Sequence, residues 1–324
     1  MKKYGAWIHS RDDVSLEEQI QKAADSGITS IRSYSVDYSR TLAPMLNACG
    51  SSLYAGIHVD ADELVANWRS QVKLDQLEAY SQLDVPLDAI CVGNELRQFG
   101  DHPDKKKFTS RISYALANVL HTYREWLDKK NINTPLTYAM EGIVFDEAGV
   151  FFEHLWPLVD ACDSVSINLY PMGKAAWHGP VQFDESKQLL TNSRVRNNRF
   201  LRYETQLRQL LDTMSNLNKP LILSETGFPS AIACEKDSDG LIIPVSDNEK
   251  YGQAMAQFMQ IIHRADADYE GTLEAIYFYE WRDNLYHNKI NNIEDSPIHT
   301  AFGLCDRTGT PKFDIKKVLG GSET

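Results

Sequence analysis

The chain has 324 residues and a mass of 36.8 kDa, and its 33 Lys and Arg against 45 Asp and Glu leave a formal net charge of −12. Hydrophobic residues make up 43% and charged ones 24%, which excludes a disordered, collagen-like or coiled-coil chain. The surplus of acid argues against nucleic acid as a partner, since that needs clustered Lys and Arg, and no stretch is long and apolar enough to make a membrane a partner.

In chain order, Lys2 and Lys3 precede an apolar run that is too short for a signal peptide and breaks at His9; Tyr4 to His9 therefore reads as a first strand. As written, the protein is expected in the cytoplasm, or in the periplasm or medium if a leader has been removed. Ser15-Leu16-Glu17-Glu18 is a capping box that should open a helix to about Ser26. Ile28 to Arg32 is the second strand, a short helix follows near Arg40 to Ala48, and Leu53 to Val59 is the third strand. Asp62 to about Leu83 reads as one long amphipathic segment.

Asp88 to Val92 is a fourth strand that runs into Gly93-Asn94-Glu95. A helix is expected from about Lys106 to Lys130, with Ile112, Leu116, Val119, Leu120 and Tyr123 on one face. Thr134 to Met140 is the fifth strand, Phe151 to Asp160 a helix, and Asp163 to Pro171 the sixth strand with its exit. After a polar loop and a helix to about Leu217, Lys219 to Glu225 is the seventh strand. Ser246-Asp247-Asn248-Glu249 reads as a second capping box, opening a helix to about Ala265. Leu273 to Tyr279 is the eighth strand, and a tail helix lies near Lys312 to Val318.

Strands apolar on both faces, each followed by a helix, indicate a parallel sheet. Eight such units without a linker suit a (β/α)8 TIM barrel, taken as a single domain over residues 1–324. The five cysteines are scattered and form no C-x-x-C, so neither zinc nor a disulfide framework is supported.

Barrel enzymes build their sites at the C-terminal ends of the strands. Those ends carry His9, Arg32, Tyr34, His58, Asp60, Asn94, Glu95, Glu141, Asn168, Tyr170, Glu225, Glu280, Trp281 and Asp283. Carboxylates, amides and aromatic rings together are the chemistry of a sugar site. Glu95 and Glu225 stand out because each directly follows an apolar run. A retaining glycosidase needs such a pair, one neutral and one ionised, about 5 Å apart. His9 and His58 end strands as metal ligands do, but with no H-x-H no metal is expected. Tyr34, Tyr279 and Trp281 could be stacking platforms or core, and Trp177 with His178 could reach a sugar from the long loop. Arg194, Arg196, Arg199 and Arg202 read as a solvated helix start.

Val92-Gly93-Asn94-Glu95 and Ser224-Glu225-Thr226-Gly227-Phe228-Pro229-Ser230 resemble the V-G-N-E and S-E-T-G-[WF]-P-S motifs of glycoside hydrolase family 17. Arg32-Ser33-Tyr34, Asn168-Leu169-Tyr170-Pro171 and Phe302-Gly303-Leu304 are similar to further segments of that family, in the same order. The resemblance implies a retaining (β/α)8 β-glucanase with no cofactor, acting on an oligo- or polysaccharide. It implies Glu95 as general acid/base and Glu225 as nucleophile, with Asn94 at the sugar 2-hydroxyl. Tyr170 and Arg32 would hold Glu225 ionised, so Arg32 should lie nearer Glu225 than Glu95. Tyr34, Asn168, Tyr279, Glu280, Trp281 and Asp283 would complete the substrate site. The last strand departs from the family, with Asn284, His287 and His299 where its pattern has acid, lysine and acid; linkage or sugar could therefore differ. A transglycosylase with the same residues and a carbohydrate-binding barrel without turnover are the alternatives.

Overall fold

The computed structural model describes residues 2–10, 14–96, 105–142, 144–145, 148–171, 193–236, 242–284 and 300–320. Strands β1 (Lys3–Trp7), β2 (Ser30–Arg32), β3 (Ser52–Ile57), β4 (Leu87–Asn94), β5 (Leu136–Glu141), β6 (Val165–Asn168), β7 (Leu221–Thr226) and β10 (Leu273–Phe278) close into one parallel barrel. The two strands between, β8 (Ala231–Lys236) and β9 (Ile242–Ser246), form a separate antiparallel hairpin. The outer layer holds α1 (Leu16–Asp25), α2 (Val36–Ala48), α3 (Ala61–Ala66), α4 (Leu74–Ser81), α5 (Lys105–Lys129), α6 (Trp156–Ala161), α7 (Ser193–Asn216), α8 (Asn248–Ala267) and α9 (Ile315–Leu319). This is the (β/α)8 architecture that strand–helix alternation predicts.

The interior of the barrel is filled by Tyr54, Ala89, Cys91, Ala139, Ile222, Ala275 and Tyr277. Large rings need small neighbours: a Cβ on Gly5 would stand 2.3 Å from the Tyr277 ring. Outside the barrel, Leu116, Leu120, Leu207, Leu211, Phe258 and Ile262 join helices and strands into the main core.

Three local expectations are corrected. The segment from Asp62 to Leu83 is not one helix but α3, a 3-10 turn over Trp68–Gln71, and α4. Buried Gln71 explains the break, because its side chain accepts from the Asp60 amide at 3.0 Å and donates to Glu63 at 2.6 Å. The cap of α8 is Asp247, which accepts from the Lys250 amide at 3.0 Å, so the helix starts one residue beyond a Ser246 cap. The β8–β9 hairpin was not expected; two apolar runs around Asp237-Ser238-Asp239-Gly240 are its sequence signal.

The strand ends that matter are irregular. Asn168 pairs with Glu225 although Ile167 pairs with Leu223, so β7 carries one extra residue at Ser224. Between Cys91 and Asn94, β4 likewise slips against β5. Bulges of this kind re-aim side chains, and here each directly precedes one of the two glutamates.

Candidate active site

The seven residues Arg32, Tyr34, Asn94, Glu95, Asn168, Tyr170 and Glu225 are brought together in one hydrogen-bonded network at the C-terminal mouth of the barrel. Positive φ values at Gly93 (80°) and Glu95 (49°) turn the chain as β4 ends. Only a few per cent of non-glycine residues adopt such a φ, and they cluster at functional sites.

Glu225 is ringed by donors. Arg32 Nη1 donates to Oε1 at 2.8 Å, Tyr34 Oη donates to Oε1 at 2.7 Å, and Tyr170 Oη donates to Oε2 at 2.7 Å. Arg32 is buried, and the Ser224 carbonyl and the Asn94 side chain also accept from it. Its ring neighbours are Tyr34 and Tyr54, at 4.7 and 5.4 Å from the guanidinium carbon. Burial first, then the Glu225 charge, raise the Tyr34 and Tyr170 hydroxyls well above the ordinary phenol range, with Arg32 opposing the shift at Tyr34. Both phenols therefore stay protonated and donate.

Glu95 has a different setting. Asn168 Nδ2 donates to its Oε1 at 2.9 Å. Burial first and the nearby Glu225 charge second push its carboxyl well above the usual carboxylate range, with Glu141 adding to this. The Asn168 hydrogen bond and Arg32 act the other way without reversing the shift. One carboxyl is thus held as a proton donor beside another that three donors surround, and such a divergence is how paired acids take different roles.

A cavity of about 430 Å³ opens beside this network, lined by Arg32, Tyr34, Asn94 and Leu96 and by His58, Asp60 and Asp62 beyond them. Asp60 also caps α3, accepting from the Glu63 amide at 2.8 Å. Asn94 Oδ1 is occupied by Arg32 at 2.8 Å and Asn168 at 3.0 Å, which leaves its amide nitrogen to donate.

The eighth barrel strand places its residues otherwise. Tyr279 stacks on Trp7, with ring centroids 5.3 Å apart and planes at 2°, so one of its faces is covered. Glu280 is fully buried with Oε2 at 3.1 Å from His9 Nδ1. Trp281 is also fully buried, so it belongs to the core and presents no ring face to a ligand. Asp283 is taken up by Lys312, whose Nζ donates to it at 2.6 Å, and by the Gly303 amide at 2.9 Å. Burial pushes Asp283 up to about 6 and Lys312 down, and each is opposed by the charge of its partner. These two positions are thus structural contacts rather than open recognition groups. Glu141 is buried at the end of β5. Trp177, His178, His287 and His299 lie outside the described residues, as do the side chains of Arg194, Arg196 and Arg199; Arg202 is exposed on α7. Among the described residues, no group of three or more His, Cys, Asp and Glu is arranged to hold a metal ion, and no helix is long and apolar enough to cross a membrane.

Reading the sequence alone missed Trp7, Ser224 and Lys312. Ser224 Oγ donates to Asn168 at 2.7 Å; its position immediately before a strand-end glutamate was the available signal. Nothing local marks Trp7 or Lys312, whose partners lie far along the chain.

No family model and no curated protein matches the chain. Solved structures share its fold. One is a glycoside hydrolase family 17 β-1,3-glucanosyltransferase from Rhizomucor miehei, 16% identical, with 97% of each chain covered and a TM-score of 0.61. An endo-laminarinase from Formosa is also 16% identical, with 94% of this chain and 83% of that one covered and a TM-score of 0.63. A β-1,3-glucanase and pollen allergen of Cryptomeria japonica is 15% identical, with 97% and 99% covered and a TM-score of 0.64. At such identities the likeness is one of fold, and it is a fold that glycoside hydrolases use.

Proposed function

We propose that this chain is a retaining β-glycoside hydrolase of the family 17 type, acting on β-glucan or β-gluco-oligosaccharides by double displacement. The observation that carries this reading is the unequal setting of the two glutamates at one barrel mouth: Glu95 raised, and Glu225 held by Arg32, Tyr34 and Tyr170.

Glu225 is the nucleophile. Its Oε1 already accepts from Arg32 and Tyr34, while Oε2 accepts only from Tyr170 among the described residues, so Oε2 attacks the anomeric carbon. As the glycosidic bond breaks, Glu95 passes its proton to the leaving oxygen. Forming the glycosyl ester discharges Glu225, which removes the second of the causes that raise Glu95, after burial. The Glu95 carboxylate then takes a proton from water, and the hydroxide formed displaces Glu225 from the sugar. Asn94, its oxygen occupied, donates its amide to the 2-hydroxyl, a contact that strengthens in the transition state. The described lining of the adjacent cavity supplies Asp60, Asp62 and His58 as partners for sugar hydroxyls.

The test is a set of linkage-defined β-gluco-oligosaccharides with the first product followed by proton NMR. Retention of the β-anomer is expected; initial release of the α-anomer contradicts the mechanism. A second reading, transfer to a sugar instead of water, is favoured by the glucanosyltransferase among the structural neighbours. Chain-lengthened products on adding an acceptor sugar would select it.

A further inference from the structure

We infer that Asn168 and Ser224 are positioning residues that, working from Arg32, fix which oxygen of Glu95 carries the proton it donates. This rests on the reading of Glu95 as the acid, and it moves Asn168 from sugar binding to the support of that acid.

The polarity of the network can be followed from a group that has no choice. Arg32 offers only donors. The Asn94 atom 2.8 Å from Arg32 Nη2 is therefore the amide oxygen. The Asn168 atom 3.0 Å from that oxygen must then be the nitrogen. One of its hydrogens goes to Asn94, and the other meets Glu95 Oε1 at 2.9 Å. Both hydrogens are spent, so Asn168 has no donor left for a sugar.

The other end of the same amide is pinned as well. Asn168 Oδ1 accepts from Ser224 Oγ at 2.7 Å and faces Arg32 Nη1 at 3.5 Å. Ser224 reaches this position because it is the extra residue of the β7 slip, and both it and Asn168 are buried. A flipped Asn168 would set an NH2 against the guanidinium and an oxygen against both Asn94 Oδ1 and Glu95. The amide therefore has one allowed orientation.

The consequence falls on Glu95. A carboxylic acid accepts well at its carbonyl oxygen and poorly at its hydroxyl. With Oε1 receiving the Asn168 N–H, the proton resides on Oε2, the oxygen left to meet the leaving group. Without that hydrogen bond the proton would divide between the two oxygens. The acid would also weaken, since Asn168 is one of the groups holding it down.

The experiment compares Asn168→Ala, Ser224→Ala and Glu95→Ala on an unactivated β-gluco-oligosaccharide and on a dinitrophenyl β-glucoside, whose leaving group departs without protonation. General acid catalysis is worth about 100-fold to 10,000-fold. For Asn168→Ala we expect kcat/KM on the oligosaccharide to fall about 100-fold, well under a tenth of that loss on the dinitrophenyl substrate, and an alkaline limb moved to higher pH. Ser224→Ala, which removes a single buried hydroxyl, should show the same pattern at about tenfold and remains informative if Asn168→Ala fails to fold. Equal losses on both substrates with an unmoved alkaline limb would overturn the inference. If Glu95→Ala itself shows no difference between the substrates, the acid assignment fails instead. If Glu95→Ala shows the difference and the two positioning variants do not, only the relay falls.

Discussion

The two ends of the barrel use the same chemistry to opposite ends. At the N-terminal floor, Asp88 sits where β4 slips against β3 and accepts from Lys3, Ser30, Ser52 and Tyr277. One carboxylate meets one cation and three hydroxyls. At the C-terminal mouth, two glutamates follow two further slips; the Arg32 guanidinium donates to the carboxylate of Glu225, while the Glu95 carboxyl accepts from the Asn168 amide. At the floor the Asp88 carboxylate is paired directly with Lys3. At the mouth Arg32 is paired with one of the two glutamates, and burial of a carboxyl without a directly paired cation favours its protonated form. Reactivity at one end and stability at the other follow from that difference in pairing.

The largest way to break this contrast is at the mouth. Glu225→Gln should lower kcat on the order of 10,000-fold while thermal melting moves by only a few degrees, because the amide keeps the shape of the carboxylate. The same variant should lower the Glu95 titration, seen by carbon NMR of labelled glutamate, since the Glu225 charge is the second cause of its upward shift. Next, Glu95→Ala should cost about 100-fold to 10,000-fold on unactivated substrates. In the unsubstituted enzyme kcat/KM should fall on the alkaline side as Glu95 loses its proton, at a pH above the usual carboxylate range; in Glu95→Ala that limb should vanish.

Stability effects are smaller. Lys312→Met leaves Asp283 buried without its cation, which should cost about 3 kcal/mol in urea unfolding. Asp88→Ala should cost about 2 kcal/mol by stripping three hydroxyls of their acceptor, with kcat changed less than about threefold. A large loss of activity from the floor variant would erase the distinction between the two ends. The least effect is on the pH dependence of folding. Glu95 is raised in the folded state, so the native protein binds more protons than the unfolded chain between the ordinary carboxylate pKa and the raised one. Stability should therefore fall as pH rises through that window, and Glu95→Gln should flatten the fall.

Much of this was legible in the sequence because its signals are local. Apolar runs ending in Asn94-Glu95 and Ser224-Glu225 mark β4 and β7, and the Ser15 capping box sits at the start of α1. The nearness of Arg32 to Glu225 was also expected, from the need for unlike settings, and the two stand 2.8 Å apart. What escaped depends on contacts between distant residues. Periodicity could not show that Gln71 would turn inward and divide the segment after Asp60. Trp281 and Asp283 read as mouth residues because they follow a strand, yet the chain folds back there: the Cys305 amide donates to the Trp281 carbonyl at 2.8 Å, and Lys312 captures Asp283. The slips of register that bring Ser224 into the network leave no mark in the order of residues.

The most direct measurement uses a slow glycoside with fluorine in place of the 2-hydroxyl, which lets the glycosyl-enzyme accumulate. Mass spectrometry of the digested protein should find the sugar on the peptide that contains Glu225, and bound to that residue. Active turnover with no labelled peptide, together with inverted product, or a label on Glu95 instead, would contradict the assignment of the two glutamates.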